Sequence, residues 1–252
     1  MTTTDFATFC HRGDAAQLHS PGQLKKQVVS NGHPFNQVLV IHQLCTPFDF
    51  ENSLFDDIED GMFGYLSIII SHDLDSVLLR FGIDINNPQY VSDVDKAHTW
   101  KNHVANHLEA VSQSMADYIV FADSDCWMIK QPDSWVTRGI AILESQPDVF
   151  IVSPNDGEPE RKTQVISQQM FMARVEDFRR ADFNQPGYSG NPRDYPEMPE
   201  YHAMLEGRIH YYCKAAGRYR YVLGPEYRYF HHNRTNEDGS YKMNYSDYGI
   251  VI

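Results

Sequence analysis

The sequence has no apolar run of about 18 residues or more, the length a membrane-spanning helix needs. Its Thr-rich, polar N-terminus also lacks the apolar centre of a signal peptide. Both absences lead us to expect a soluble, cytoplasmic protein with no integral membrane segment. Basic charge is in deficit: 21 Lys and Arg stand against 34 Asp and Glu, a net charge of −13. A surface of that sign offers nothing to nucleic acid or an anionic membrane, so both drop out as partners. Cysteine is sparse. Cys10, Cys45, Cys126 and Cys213 form no C-x-x-C pair, which fits reduced thiols used as core filler better than a disulfide frame or a zinc site. Repeats and linkers are absent too. The 252 residues with 42% hydrophobic content therefore read as one domain with a substantial core.

What is present centres on the stretch from Tyr118 to Trp127. Tyr118, Ile119, Val120, Phe121 and Ala122 form a run that reads as a strand buried on both faces, and Asp123, Ser124 and Asp125 end it abruptly. Such a strand cannot carry two aspartates inside without partners, so the acids belong at its C-terminal edge, where open α/β sheets bind ligands. In an extended strand, side chains at i and i+2 share a face but stand roughly 6.5 Å apart. On that spacing we expect one acid to hold a metal directly and the other to act through water or a ligand hydroxyl. The bland alternative is an Asx-type turn.

Around this stretch the chain alternates strands and helices. Phe6–Cys10 reads as a first strand, a helix opens at Ser20 and Pro21 and stops at Asn31 and Gly32, and Gln37–Ile41 is a second strand. Tyr65–Ile70 is a third, followed by a helix from Leu74 to Phe81. Trp100, Val104, Leu108, Val111 and Met115 recur at helical spacing and predict one long amphipathic helix leading into the acidic strand. Beyond it come a helix over Pro132–Glu144, strands at Val149–Val152 and Gln169–Arg174, a helix over Ala203–Ala216 closed by Gly217, and a final strand Tyr219–Leu223. Residues Asn184 to Pro199, with four prolines, read as an exposed loop. The βαβ rhythm predicts an α/β fold with a mixed, mainly parallel sheet flanked by helices. Most of the twelve histidines are expected to be surface or satisfied core residues.

With its acids ending a central strand, an Asn-bearing helix before them (Asn102, Asn106) and an acid-then-helix segment late on, the whole chain resembles the GT-A fold glycosyltransferases, most closely the family 2 type. The resemblance implies a sugar transfer from a nucleoside-diphosphate sugar, with a UDP-sugar favoured, to a hydroxyl of a glycan or small molecule by a hexosyl- or deoxyhexosyltransferase. It implies a divalent cation, Mn²⁺ or Mg²⁺, with Asp125 as direct ligand and Asp123 as ribose or outer contact. His231 or His232 would complete the metal shell. These two face opposite ways if extended, and both stay open. Thr8, Arg12 and Lys101 fall where the family contacts the donor, whereas His42 and Gln43 stand where an acid usually recognises the nucleoside. Glu206 matches the general base of an inverting transfer, but the second acid of that pattern is missing, which keeps Glu200 as a rival. On this reading residues 1–125 bind donor and 126–252 bind acceptor. Tyr188 and Tyr195 of the loop line the acceptor pocket, and the tail from His231 to Tyr248 orders over the donor as a lid.

Two rivals belong to other classes. A phosphatase of the haloacid-dehalogenase type also places D-x-D after a buried strand, but there the motif opens the domain, and here three strands precede it. A non-catalytic sugar- or nucleotide-binding module needs Glu206 and both histidines remote from the acids. A nucleotidyltransferase would need a Gly-rich phosphate loop, which the first strand lacks.

Overall fold

The computed structural model describes residues 2–10, 22–42, 66–70, 73–83, 94–155, 157, 159–167, 169–184 and 205–231. Arg12, Glu200, His232, the loop beyond residue 184 and the tail beyond His231 lie outside the described residues, as does the side chain of Lys101.

Strands β1 (Thr4–Cys10), β2 (Gln37–His42), β3 (Leu66–Ile70) and β4 (Tyr118–Asp123) run parallel. Strand β8 (Met170–Arg174) is antiparallel to both β4 and β6 (Val149–Ser153). Strand β9 (Tyr219–Val222) is parallel to β6, and β7 (Arg161–Thr163) closes the edge antiparallel to β9. Among the described residues the sheet has eight strands in the order β3-β2-β1-β4-β8-β6-β9-β7. From β1 the chain steps outward to β2 and β3 and then returns to β4 on the other side of β1. That reversal is a topological switch point, with a crevice outside the carboxyl ends of β1 and β4.

Alternation along the strands sorts apolar side chains to two faces. Ala7, Phe9, Leu39, Ile41, Ile119, Phe121 and Phe171 pack with helices α2 (Leu74–Arg80), α3 (Val94–Gln113), α5 (Val175–Arg180) and α6 (Leu205–Ala216). Phe6, Val38, Val40, Val120, Ala122 and Met172 pack on the other face with α1 (Gln23–Ser30) and α4 (Trp135–Ser145). His107 is a core histidine, stacked on Phe171 at 5.9 Å and against Phe9 at 4.1 Å. Local caps mark several boundaries: the Asp73 side chain accepts from Ser76 N, and Ser134 accepts from Thr137 N. After α6, Gly217 takes φ 63°, the left-handed geometry that ends helices and favours glycine.

Three short elements and a fourth that closes a second sheet are additions to the sequence reading. Strands β5 (Cys126–Lys130) and β10 (Arg228–His231) pair antiparallel in a two-stranded ribbon, β7 is a three-residue edge, and α5 follows β8 directly. Tyr219–Val222 is therefore not the final strand. The long helix also ends earlier than its apolar stripe: Val104, Leu108 and Val111 are buried, but Met115 lies past the helix end and is 86% exposed. Among the described residues no helix is long and apolar enough to cross a membrane.

Candidate metal and donor site

The chain does not stay extended after Asp123. It turns through Ser124 and Asp125 before β5 begins, so the spacing argued from an extended strand does not apply. Ligand atoms of Asp123, Asp125, Cys126 and His231 all lie within 4.8 Å of one another. His231 Nε2 is 3.8 Å from Asp125 Oδ2, and the Cys126 thiol points at Asp125 Oδ1 at 3.7 Å. Both acids are partly buried, while Cys126 and His231 are buried.

Several groups hold this geometry. Gln27 on α1 is fully buried, and its Nε2 donates to the carbonyls of Asp123 (2.6 Å) and Cys126 (2.9 Å), clamping the turn from both ends. Gln27 is itself tied down, because its own carbonyl accepts from Asn31 Nδ2 at 2.7 Å and Asn31 Oδ1 accepts from Trp135 Nε1 at 2.7 Å. From the β8 side, the Gln169 carbonyl accepts the Asp123 N–H at 2.8 Å, and the Gln169 side chain accepts from Tyr229 of β10 at 3.0 Å. Ladder pairing sets Cys126 opposite His231, so these two side chains leave the same face of the ribbon. Trp127 and Phe230 leave the other face, stacked at 4.2 Å with Lys26 over the indole.

Replacing Gln27 by leucine is expected to remove both of its hydrogen bonds to the turn, of which the one to the Cys126 carbonyl is buried. About 1–3 kcal/mol of stability should be lost for each acceptor that water does not reach. A lower urea midpoint at unchanged slope is the expected readout, and an unmoved midpoint would reject the clamp.

The structure brings Asp123, Asp125 and His231 together, while His232 lies outside the described residues. Thr8 pairs with Ala122 one position before Asp123 and is fully buried, with a hydroxyl that has no partner among the described residues. Ser124 Oγ and both amide atoms of Asn106 are likewise buried and unpartnered among those residues. Buried polar groups are as a rule satisfied, so such a group commonly awaits water or a ligand. Glu206 stands in the first turn of α6, half-buried and outside the four-residue cluster. Cys126 is the member that sequence reasoning missed. Its only signal was adjacency to Asp125, and it was read as core filler. It does pack in the core, but its sulfur faces the acids.

No protein-family model and no curated protein matches the chain in sequence. Its sheet order and flanking helices are those of the GT-A type, a Rossmann-like fold with a mixed, mainly parallel sheet. Mouse xyloside xylosyltransferase 1, in its apo form, is similar at a TM-score of 0.52 and 9% identity, over 88% of this chain and 85% of that one. The galactosyltransferase LgtC, in complex with donor and acceptor sugar analogues, gives a TM-score of 0.45 at 12% identity, covering 83% of this chain and 70% of that one. The mannosyltransferase PcManGT from Pyrobaculum calidifontis, in complex with GDP-Man and Mn²⁺, gives 0.41 at 11% identity, covering 69% of this chain and 44% of that one. The fold likeness rests on the first of these.

Proposed function

We propose that this chain is a metal-dependent glycosyltransferase that moves a hexosyl or deoxyhexosyl group, with inversion, from a nucleoside-diphosphate sugar to a hydroxyl of a glycan or small molecule. The observation that carries the reading is the cluster of Asp123, Asp125, Cys126 and His231 at the C-terminal edge of β4, beside the switch point where such sheets take nucleotides.

The donor set fits a divalent cation. A metal bound at about 2.1 Å to oxygen and nitrogen and about 2.3 Å to sulfur separates its ligand atoms by about 3–4 Å, so a spread of 4.8 Å needs only small side-chain movements. Mn²⁺ or Mg²⁺ bound there would neutralise charge on the departing diphosphate. Asp125 and His231 hold the ion, and Asp123 reaches the ribose or a bound water. Thr8, Arg12 and Lys101 contact the donor, a UDP-sugar being favoured. Glu206 takes the proton of the acceptor hydroxyl as that oxygen bonds to the anomeric carbon and the bond from this carbon to the diphosphate breaks. Residues 1–125 serve the donor and 126–252 the acceptor, with Tyr188 and Tyr195 against the acceptor sugar.

The non-catalytic reading needs Glu206 and both histidines remote from the acids, and the 3.8 Å approach of His231 to Asp125 speaks against it. Three strands precede the motif, which speaks against the phosphatase.

Thermal unfolding with UDP, GDP, TDP or CMP, each with and without Mn²⁺, tests the reading. A ligand at 100 times its Kd adds about 2.7 kcal/mol. We expect one nucleoside diphosphate to raise Tm only when Mn²⁺ is present. No shift with any of them would overturn the proposal.

A further inference from the structure

We propose that Cys126 is itself a metal ligand, and that its sulfur makes the site prefer a thiophilic divalent cation such as Zn²⁺ over Mg²⁺. The inference rests on the metal-dependent reading above and goes beyond it, since carboxylates and an imidazole alone would suffice for a hard ion beside a diphosphate.

Three observations converge. The thiol, the imidazole of His231 and the carboxylates of Asp123 and Asp125 bring their ligand atoms within 4.8 Å of one another, a mixed sulfur, nitrogen and oxygen set. The ladder register Cys126↔His231 sends both side chains out of one face of the β5–β10 ribbon, and the Gln27 bond to the Cys126 carbonyl fixes the backbone from which the thiol projects. The Cys126 side chain is fully buried, yet its sulfur lies 3.7 Å from Asp125 Oδ1 rather than wholly among apolar groups. A thiol is a weak hydrogen-bond donor, so a cysteine serving only as filler gains little from facing carboxylates.

Ligand chemistry then decides the ion. Mg²⁺ asks for near-octahedral oxygen ligands and gives up its waters reluctantly, whereas sulfur with imidazole and carboxylate suits Zn²⁺. Asp125, Cys126 and His231 supply three protein ligands, the number found in catalytic zinc sites, which leaves a fourth position for an oxygen of the diphosphate. The thiol proton passes to solvent when the sulfur binds. Asp123 is then left for the ribose or a bound water, as the functional reading has it.

The test uses the intact chain stripped of metal by a chelator and titrated with Cd²⁺, Zn²⁺ and Mn²⁺. Cd²⁺ should raise the ultraviolet thiolate-to-cadmium charge-transfer band with saturation at one ion per chain, and Cys126→Ser should abolish it. Cys213 is fully buried in the core and stands outside the cluster, which keeps it out of the signal. By calorimetry, Cys126→Ser and Cys126→Ala should lower Zn²⁺ affinity roughly tenfold or more, the scale on which even outer partners of a metal act, with Mn²⁺ affinity changing far less. X-ray absorption on the Zn²⁺-loaded wild-type chain should show sulfur at about 2.3 Å, whether or not the variants fold. Metal binding without a charge-transfer band, a band that survives Cys126→Ser, or a shell of nitrogen and oxygen alone would overturn the thiol ligand while leaving the carboxylate and imidazole site standing. Failure of the wild-type chain to bind any of the three ions would overturn the functional reading with it.

Discussion

Asp125→Ala is expected to abolish metal-dependent binding of a nucleoside diphosphate while the fold stays intact. Asp125 sits in a turn between β4 and β5, where its carboxylate faces the Cys126 thiol and the His231 imidazole. Its side chain is 15% exposed, and at 3.8 Å the pair with His231 is too long for a hydrogen bond, so little of the apo fold rests on that contact. For the cluster the loss is different in kind, because Asp125 is the acid proposed to hold the ion directly. The stabilisation of about 2.7 kcal/mol that a nucleotide at 100 times its Kd gives in the presence of Mn²⁺ should vanish in the variant. Circular dichroism should match wild type. Calorimetric titration is the check, and unchanged Mn²⁺-dependent nucleotide affinity would sink the assignment.

Glu206→Gln should lower kcat by about 10²–10⁴, the usual contribution of a general base, with donor binding unchanged. An acceptor hydroxyl is a poor nucleophile at neutral pH, so displacement at the anomeric carbon needs a carboxylate on the face opposite the diphosphate. Glu206 stands in the first turn of α6, where the helix dipole favours a negative charge. Leu205 before it is fully buried and fixes that end of the helix in the core, while Glu206 itself is half-buried. The competing account is a glutamate that merely stabilises a helix end, worth about 0.3–1 kcal/mol. The two accounts separate cleanly, since the helix role predicts a small loss of Tm and a kcat near wild type. Product analysis adds an independent reading: the new bond should have inverted anomeric configuration. A near-wild-type kcat or a retained configuration would move the base to Glu200 or the reaction to a retaining path.

The parts of the fold legible in the sequence were those with strong local periodicity. Val104, Leu108 and Val111 repeat at helical spacing and are buried on α3, and the run from Tyr118 to Ala122 is the buried centre of β4. Met115 continued the same spacing but points outward, because the helix stops at Gln113 and periodicity alone carries no stop signal there. The ribbon of β5 and β10 was opaque for another reason. Its strands are four or five residues long and far apart in sequence, and neither has a run that reads as a strand without its partner. That ribbon is what sets His231 beside the acids, and only the pairing over that distance brings it there. Cys126 escaped notice because cysteine is usually buried filler, and burial alone does not say which way a sulfur points. Gln27, an unremarked glutamine on a short helix, became visible only once both carbonyls it holds were in place.

The register that puts Cys126 opposite His231 also orders events in time. The two residues are separated by about a hundred positions, which synthesis at roughly 5–20 residues per second spreads over about 5–20 seconds. Throughout that interval the emerging chain carries its two aspartates and its thiol without the imidazole that faces them. A nascent chain can therefore bury β1 to β4 against α3 well before all four members of the cluster have been made. If the cluster takes up a cation as proposed, high-affinity uptake would begin only after β10 has been made, and loading with metal would mark a translation product that has passed that point.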